Sequence, residues 1–209
     1  MRHARWAVCS AIVVMILAAS TARAQDYEAR RFNVGPYVGV FLLDDEQLTE
    51  VAAVEVDPGV ILGARMGFAL AKSWQLEAGY GFAGLKTEPS EFDEDAPPDL
   101  VADLDTHLLY GAINYLLAYR DNPTALVLTA GAGVLILDPE AFDRSTDPML
   151  ELGAGFTHPI RTWITFRGDA RDHVSFCSVP DSGESSACPG GDEVLHNFEV
   201  SGGLQFWIF

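Results

Sequence analysis

The 209-residue chain combines a formal net charge of −17 with a 49% share of hydrophobic residues and only three cysteines. That acidity excludes the cationic surface that nucleic acid or anionic lipid requires, and leaves divalent cations and basic partners as compatible ligands. The apolar residues come in short alternating runs, not in the long helical stripes of an all-α core.

The first 24 residues read as a segment apart. Arg2 and Arg5 give a basic start, and residues 7–19 (AVCSAIVVMILAA) form an apolar run too short to span a membrane as a helix. Ala22-Arg23-Ala24 offers a small-residue cleavage site before Gln25. A signal peptide is expected over 1–24, a short lead over 25–31 and a single β-domain over 32–209. Removing the leader takes away three arginines and no acid, leaving 10 Lys+Arg against 30 Asp+Glu. The two remaining cysteines, Cys177 and Cys188, read in an exported chain as a disulfide pinning one loop. No cysteine or histidine partner stands at zinc-site spacing, and neither a metal nor a cofactor is expected.

In chain order, the first strand is expected over 32–43, with Val34, Val38, Val40 and Leu42 alternating against Asn33, Gly35, Tyr37 and Gly39. An acidic loop covers 44–58. The second strand (60–70) sets Leu62, Met66, Phe68 and Leu70 against Gly63, Arg65 and Gly67, and 71–73 is a tight turn. The third (74–85) sets Trp74, Leu76, Tyr80 and Phe82 against Gln75, Glu77, Gly79 and Gly81, and a long acidic loop covers 86–105. The fourth (106–119) is apolar on both sides; placing Asn114 inward puts Leu109, Ile113, Tyr115 and Leu117 outward. After a turn at 120–123, the fifth (125–137) opposes Leu126, Leu128, Val134 and Ile136 to Thr129, Gly131 and Gly133. A loop over 138–147 leads to the sixth (149–158), which opposes Leu150, Leu152 and Phe156 to Glu151, Gly153 and Gly155. A turn at 159–162 leads to the seventh (163–176), which opposes Ile164, Phe166 and Ala170 to Thr165, Arg167, Asp169 and Arg171. The cysteine-bearing loop follows. The last strand runs to Phe209, with Phe198, Val200, Leu204, Phe206 and Ile208 against Glu199, Ser201, Gly203 and Gln205.

Eight strands, with connections alternating long and short, suit a closed antiparallel up-and-down barrel. Loop length, charge and aromatics are coordinated. Of the 30 acids, 22 lie in or at the edges of the four long loops, while the short turns carry Lys72, Arg120 and Arg161. Phe32, Trp74, Tyr119, Trp163, Trp207 and Phe209 gather at the short-turn end or the termini, as an interfacial girdle would. The polar face holds the charges and most of the glycines, which fit the narrow inside of an eight-stranded barrel better than its outside. The apolar face is therefore expected to meet lipid, and closure leaves no strand edge unpaired there.

With its leader, eight amphipathic strands, long outer loops, short inner turns and an aromatic last residue, the chain resembles the small bacterial outer-membrane β-barrel superfamily of OmpA-, OmpX- and OmpW-like proteins. The likeness covers everything after the leader, no further domain is expected after the barrel, and Phe209 falls one step out of phase with Leu204, Phe206 and Ile208. It implies a bacterial outer-membrane location, contact with lipid and lipopolysaccharide, and insertion by the barrel assembly machinery.

Arg65, Glu77, Glu151, Arg167, Asp169, Arg171 and Glu199 are expected to face one another across the lumen, as a space-filling salt-bridge network or as the plug of a narrow pore. The loop holding Glu88, Glu91, Asp93, Glu94, Asp95, Asp99, Asp103 and Asp105 is expected to be solvated; its alternative is divalent-cation binding. His107, His173 and Ser175, with Asp172 and Asp105 nearby, are the residues a rim enzyme acting on lipid A would need, but no nucleophile motif accompanies them and no enzyme is expected. The expected role is structural or surface-interacting, a closed barrel presenting four acidic extracellular loops. The alternatives are a narrow channel or small-solute binder, and third, the rim enzyme.

Overall fold

The computed structural model describes residues 31–43, 54–89, 103–118, 123–139, 144–177 and 193–208. The leader, the lead up to Arg30, most of the acidic loops, Tyr119, Cys188 and Phe209 lie outside the described residues, and so does the pairing expected for Cys177. The strands are β1 (Phe32–Leu42), β2 (Val54–Val56), β3 (Gly59–Ala71), β4 (Trp74–Pro89), β5 (Asp103–Ala118), β6 (Ala125–Pro139), β7 (Ser145–Arg161), β8 (Ile164–Cys177) and β9 (Glu193–Ile208).

Each long strand pairs antiparallel with its neighbours in sequence. β9 returns to β1, pairing Phe32 with Ile208 and Leu42 with Phe198, so the eight long strands close into a barrel. Closure satisfies every ladder edge internally, the condition for a sheet to lie in hydrocarbon. β2 stands outside the ring. It pairs Val54–Val56 with residues 87–89 of β4, extending the wall where a loop was expected. β5 and β7 also begin earlier than the alternation suggests, at Asp103 and Ser145, so the barrel rises further on the long-loop side. On the short-turn side β7 runs through Pro159 to Arg161, and the turn is Thr162-Trp163. A register shift between Pro159 and Arg161 lets the proline, which has no N–H to give, sit in the strand.

The register fixes the barrel's geometry. A walk from Asp172 through Leu152, Ala130, Ile113, Leu76, Phe68 and Phe32 arrives on β9 at Ile208, whereas Asp172 itself pairs with Phe198. One circuit therefore displaces the register by ten residues, which in eight strands tilts them by roughly 43° and gives about 2.4 Å of height per residue. On this scale Phe32, Trp74 and Trp163 stand within about 5 Å of one height, a ring at the short-turn mouth. Trp74 rests on Tyr115, with ring centroids 4.7 Å apart.

The two faces are inverted relative to a soluble domain. Val38, Val60, Leu62, Leu109, Leu152 and Ile208 are among the large apolar side chains left exposed on the outer wall, while Arg167, Glu151 and Glu199 are fully buried within. Glycines let the interior close. A Cβ at Gly63 would stand 2.3 Å from the Tyr37 ring, and one at Gly79 would stand 2.2 Å from Tyr110 Cζ. The two tyrosines thus lie in the hollows that these glycines leave.

Candidate functional site

The interior has three layers along the barrel axis. In the middle, three guanidiniums meet four carboxylates. Arg65 donates to Asp169 Oδ2, to Glu199 Oε1 at 2.9 Å and to Ser201 Oγ at 2.6 Å. Arg167 donates to Glu77 Oε2 and straddles Asp169, its Nε at 3.0 Å and Nη2 at 2.9 Å from Oδ1. Arg171 bridges Glu151 Oε1 and Glu77 Oε1, the latter at 2.8 Å. Asn114 donates to Glu77 at 2.8 Å and accepts from Thr129 at 2.7 Å. All seven charged residues expected in the lumen lie in this layer. β3, β4, β7, β8 and β9 supply them, and each stands at an inward position of its strand's two-residue period.

The layer is closed from above by aromatic rings. Arg65 Cζ lies 3.9 Å from the centroid of Tyr37, and Arg171 Cζ lies 5.2 Å from that of Tyr110. His173 sits at the same level against Phe41 and Tyr110, its Nε2 3.3 Å from Glu199 Oε2. A carboxylate only accepts, so the ring presents Nε2–H there.

Above this, toward the long loops, the lumen is mostly apolar, with Thr106, Asp147, Ser175 and Asn197 as its buried polar side chains among the described residues. Phe41, Ile61, Leu85, Leu104, Leu108, Leu135, Leu137 and Met149 form one buried cluster, and Phe41, Ile61, Leu108 and Leu135 have no exposed surface. Sequence reading missed this core because it assigned one apolar face per strand. The signal was present where alternation lapses at the strand ends, in Phe41-Leu42-Leu43, Val60-Ile61-Leu62 and Leu135-Ile136-Leu137.

Below the charges, at the short-turn end, the layer is neutral and polar. Asn33, Gln75, Gln205, Thr157 and Thr165 are buried, and the Asn33 amide, Gln75 Nε2, Gln205 Nε2 and Thr157 Oγ1 have no hydrogen-bond partner among the described residues. Trp207 belongs here and not to the girdle. Leu204, Phe206 and Ile208 take the outward positions of β9, which turns Trp207 inward opposite Asn33, and its Nε1 donates to Thr165 Oγ1 at 2.9 Å. Girdle membership requires the outward phase as well as the right height. Phe32, Trp74 and Trp163 have both.

The rim histidines are separated by the wall. His173 and Ser175 face inward, and Ser175 Oγ accepts from Asn197 at 3.2 Å. His107 faces outward and pairs with Tyr80 Oη at 2.8 Å; Asp172 faces outward and pairs with His196 Nδ1 at 2.9 Å. Asp172 and His173, adjacent in sequence, therefore serve opposite sides of the sheet. Among the described residues no serine stands bonded to a histidine as a nucleophile requires, and no three His, Cys, Asp or Glu side chains gather as cation ligands.

No protein-family model matches the chain, and no curated protein matches it in sequence. Solved structures do match in fold. A major outer membrane protein from Thermus thermophilus superposes with a TM-score of 0.57 at 14% identity, covering 85% of this chain and 99% of that one. Neisserial surface protein A superposes with a TM-score of 0.53 at 10% identity, covering 85% and 96%. The outer membrane protein OprG from Pseudomonas aeruginosa superposes with a TM-score of 0.53 at 14% identity, covering 88% and 99%. The chain thus has the fold of the small eight-stranded outer-membrane β-barrels. Its outer wall is apolar and its charged side chains are buried inside, the arrangement of a barrel that spans a bilayer.

Proposed function

We propose that the protein is a structural and surface-interaction component of the bacterial outer membrane, a sealed barrel that carries four acidic loops on the outside of the cell. The observation that supports this reading most directly is the filled lumen. The ion-paired layer leaves its carboxylates and guanidiniums almost fully buried, and above it the buried apolar cluster fills the lumen beside a short hydrogen-bonded column of Asn197 and Ser175. An ion entering from either side would have to shed water into side chains that cannot replace it. The loops add negative charge that suits basic partners, or divalent cations bridging to lipopolysaccharide phosphates. The closing strand is the natural handle for the barrel assembly machinery.

The narrow-channel reading draws support from the unpartnered amides at the short-turn mouth, which suit a hydrated vestibule. Conductance in planar bilayers separates the two. The sealed-barrel reading expects silence from the wild type and from Arg167→Ala, since the apolar layer remains intact in both. Sustained openings of the wild type would overturn it and favour the channel. Release of acyl chains from labelled lipid A by the purified barrel would instead favour the rim-enzyme reading.

A further inference from the structure

The charged layer does not balance. Among the described residues it holds three guanidiniums, Arg65, Arg167 and Arg171, and four carboxylates, Glu77, Glu151, Asp169 and Glu199, an excess of one negative charge. All seven are buried. At about 2.4 Å of height per residue, Glu151 stands roughly 18 Å above the ring of Phe32, Trp74 and Trp163, within an apolar band about 25 Å tall. Hydrocarbon surrounds the layer, and a buried charge left uncompensated in such a place is neutralised instead.

The excess falls on Glu151. Asp169 meets all three arginines, Glu77 meets Arg167 and Arg171, and Glu199 meets Arg65. Glu151 meets Arg171 alone, through Oε1. Its Oε2 has no hydrogen-bond partner among the described residues and almost no surface for water to touch. Its register partner across the β7–β8 ladder is His173, so the two inward side chains start from Cβ atoms about 5 Å apart. His173 holds Glu199 Oε2 through Nε2 at 3.3 Å, and its Nδ1 is buried and unpartnered like Glu151 Oε2. The imidazole therefore has one carboxylate on a ring nitrogen and a second on the neighbouring strand.

The other orphaned groups do not serve Glu151. Tyr37 Oη and Tyr110 Oη point into the hollows at Gly81 and Gly79 of β4, four strands from β8 around the ring. Arg65 Nε and Arg171 Nε bring no charge beyond the three already counted. Among the described residues β6 turns no ionisable side chain inward, and the remaining inward carboxylate, Asp147, stands about 10 Å higher than Glu151, beside Ser145.

We infer that His173 is the fourth cation of the layer, an imidazole that takes up one proton in the folded barrel and lies as an imidazolium between Glu199 and Glu151. That proton cancels the excess charge and turns the orphaned Nδ1 into a donor opposite the orphaned Oε2. A histidine in the unfolded chain is mostly neutral above pH 7. A proton held by the folded state alone makes stability fall as pH rises, so the barrel is fastened least firmly in alkaline medium.

Glu151→Gln is the diagnostic variant. It is nearly isosteric, its layer balances without the proton, and its amide N–H can serve Nδ1 of a neutral ring. In urea unfolding from lipid vesicles between pH 7 and 9, the wild-type unfolding constant should rise more steeply than that of Glu151→Gln, by up to about tenfold per pH unit. His173→Gln leaves the layer one charge short at every pH and should unfold more readily than wild type at pH 7; adding Glu151→Gln should restore it. Nitrogen NMR of the histidine-labelled wild type in bilayers at pH 8 should show an imidazolium that Glu151→Gln lacks, a readout that stands whether or not His173→Gln folds. Parallel pH profiles for wild type and Glu151→Gln, or identical imidazolium signals in the two, would overturn the inference.

Discussion

Arg171→Ala tests how the charged layer is held together. Arg171 is fully buried and joins Glu151, Glu77 and, at 3.5 Å, Asp169. Without it Glu77 still has Arg167 and Asn114, and Asp169 still has Arg65 and Arg167. Glu151 has no such reserve. Its Oε1 is bound by Arg171 and its Oε2 has no hydrogen-bond partner among the described residues. The variant strands a buried carboxylate, a defect worth about 3–5 kcal/mol. Arg167→Ala removes more hydrogen bonds but strands nothing, because both its carboxylates keep another arginine; it should cost only about 1.5–3 kcal/mol. Glu151→Gln on the Arg171→Ala background removes the stranded charge and should restore roughly 2 kcal/mol of the loss. Urea unfolding in lipid vesicles, followed by tryptophan fluorescence and by heat-modifiable migration, measures all three. Equal losses for the two arginine variants, or a further loss on adding Glu151→Gln, would refute the claim that unpaired charge sets the cost here and not the number of bonds broken.

Other consequences can be checked on the same preparations. Gly79→Ala drives a Cβ against the Tyr110 ring and should cost about 1–3 kcal/mol, with Tyr110→Leu on that background recovering part of it; near-ultraviolet circular dichroism should report the displaced tyrosine. Trp207 should escape quenching by brominated acyl chains in a Trp74→Phe/Trp163→Phe background, whereas restoring Trp74 should restore quenching. Exchanging Phe41 and Leu135 of the apolar layer for serine on an Arg167→Ala background should admit ions in planar bilayers, while Arg167→Ala alone stays silent.

Much of the barrel was legible because its signal is local. A two-residue period needs only a few positions to declare a face, so the outward row Leu204, Phe206, Ile208 and the inward arginines Arg65, Arg167 and Arg171 follow from parity alone. Turn positions and strand extensions were less legible, since β2 and the early start of β7 depend on a partner strand being present and not on their own sequence. The apolar inner layer was hidden for a different reason. Near the long loops both faces of a strand can be apolar, and parity cannot distinguish a residue facing lipid from one facing other strands across the lumen. The Asp172–His196 pair was missed because the two residues are 24 apart and meet only through the β8–β9 register. Trp207 shows the converse error, in which position near a chain end outweighed phase.

The central claim is the inversion of the wall. Spin labels placed singly from 198 to 208 on β9, in reconstituted vesicles, report collision with oxygen in the lipid and with a water-soluble relaxant. Oxygen access should peak at positions 198, 200, 204, 206 and 208 and fall at 199, 201, 205 and 207, with the water-soluble reagent excluded from the outward set. A reversed alternation, in which positions 204, 206 and 208 are shielded from lipid and 199, 201 and 205 meet water on the outside, would contradict it.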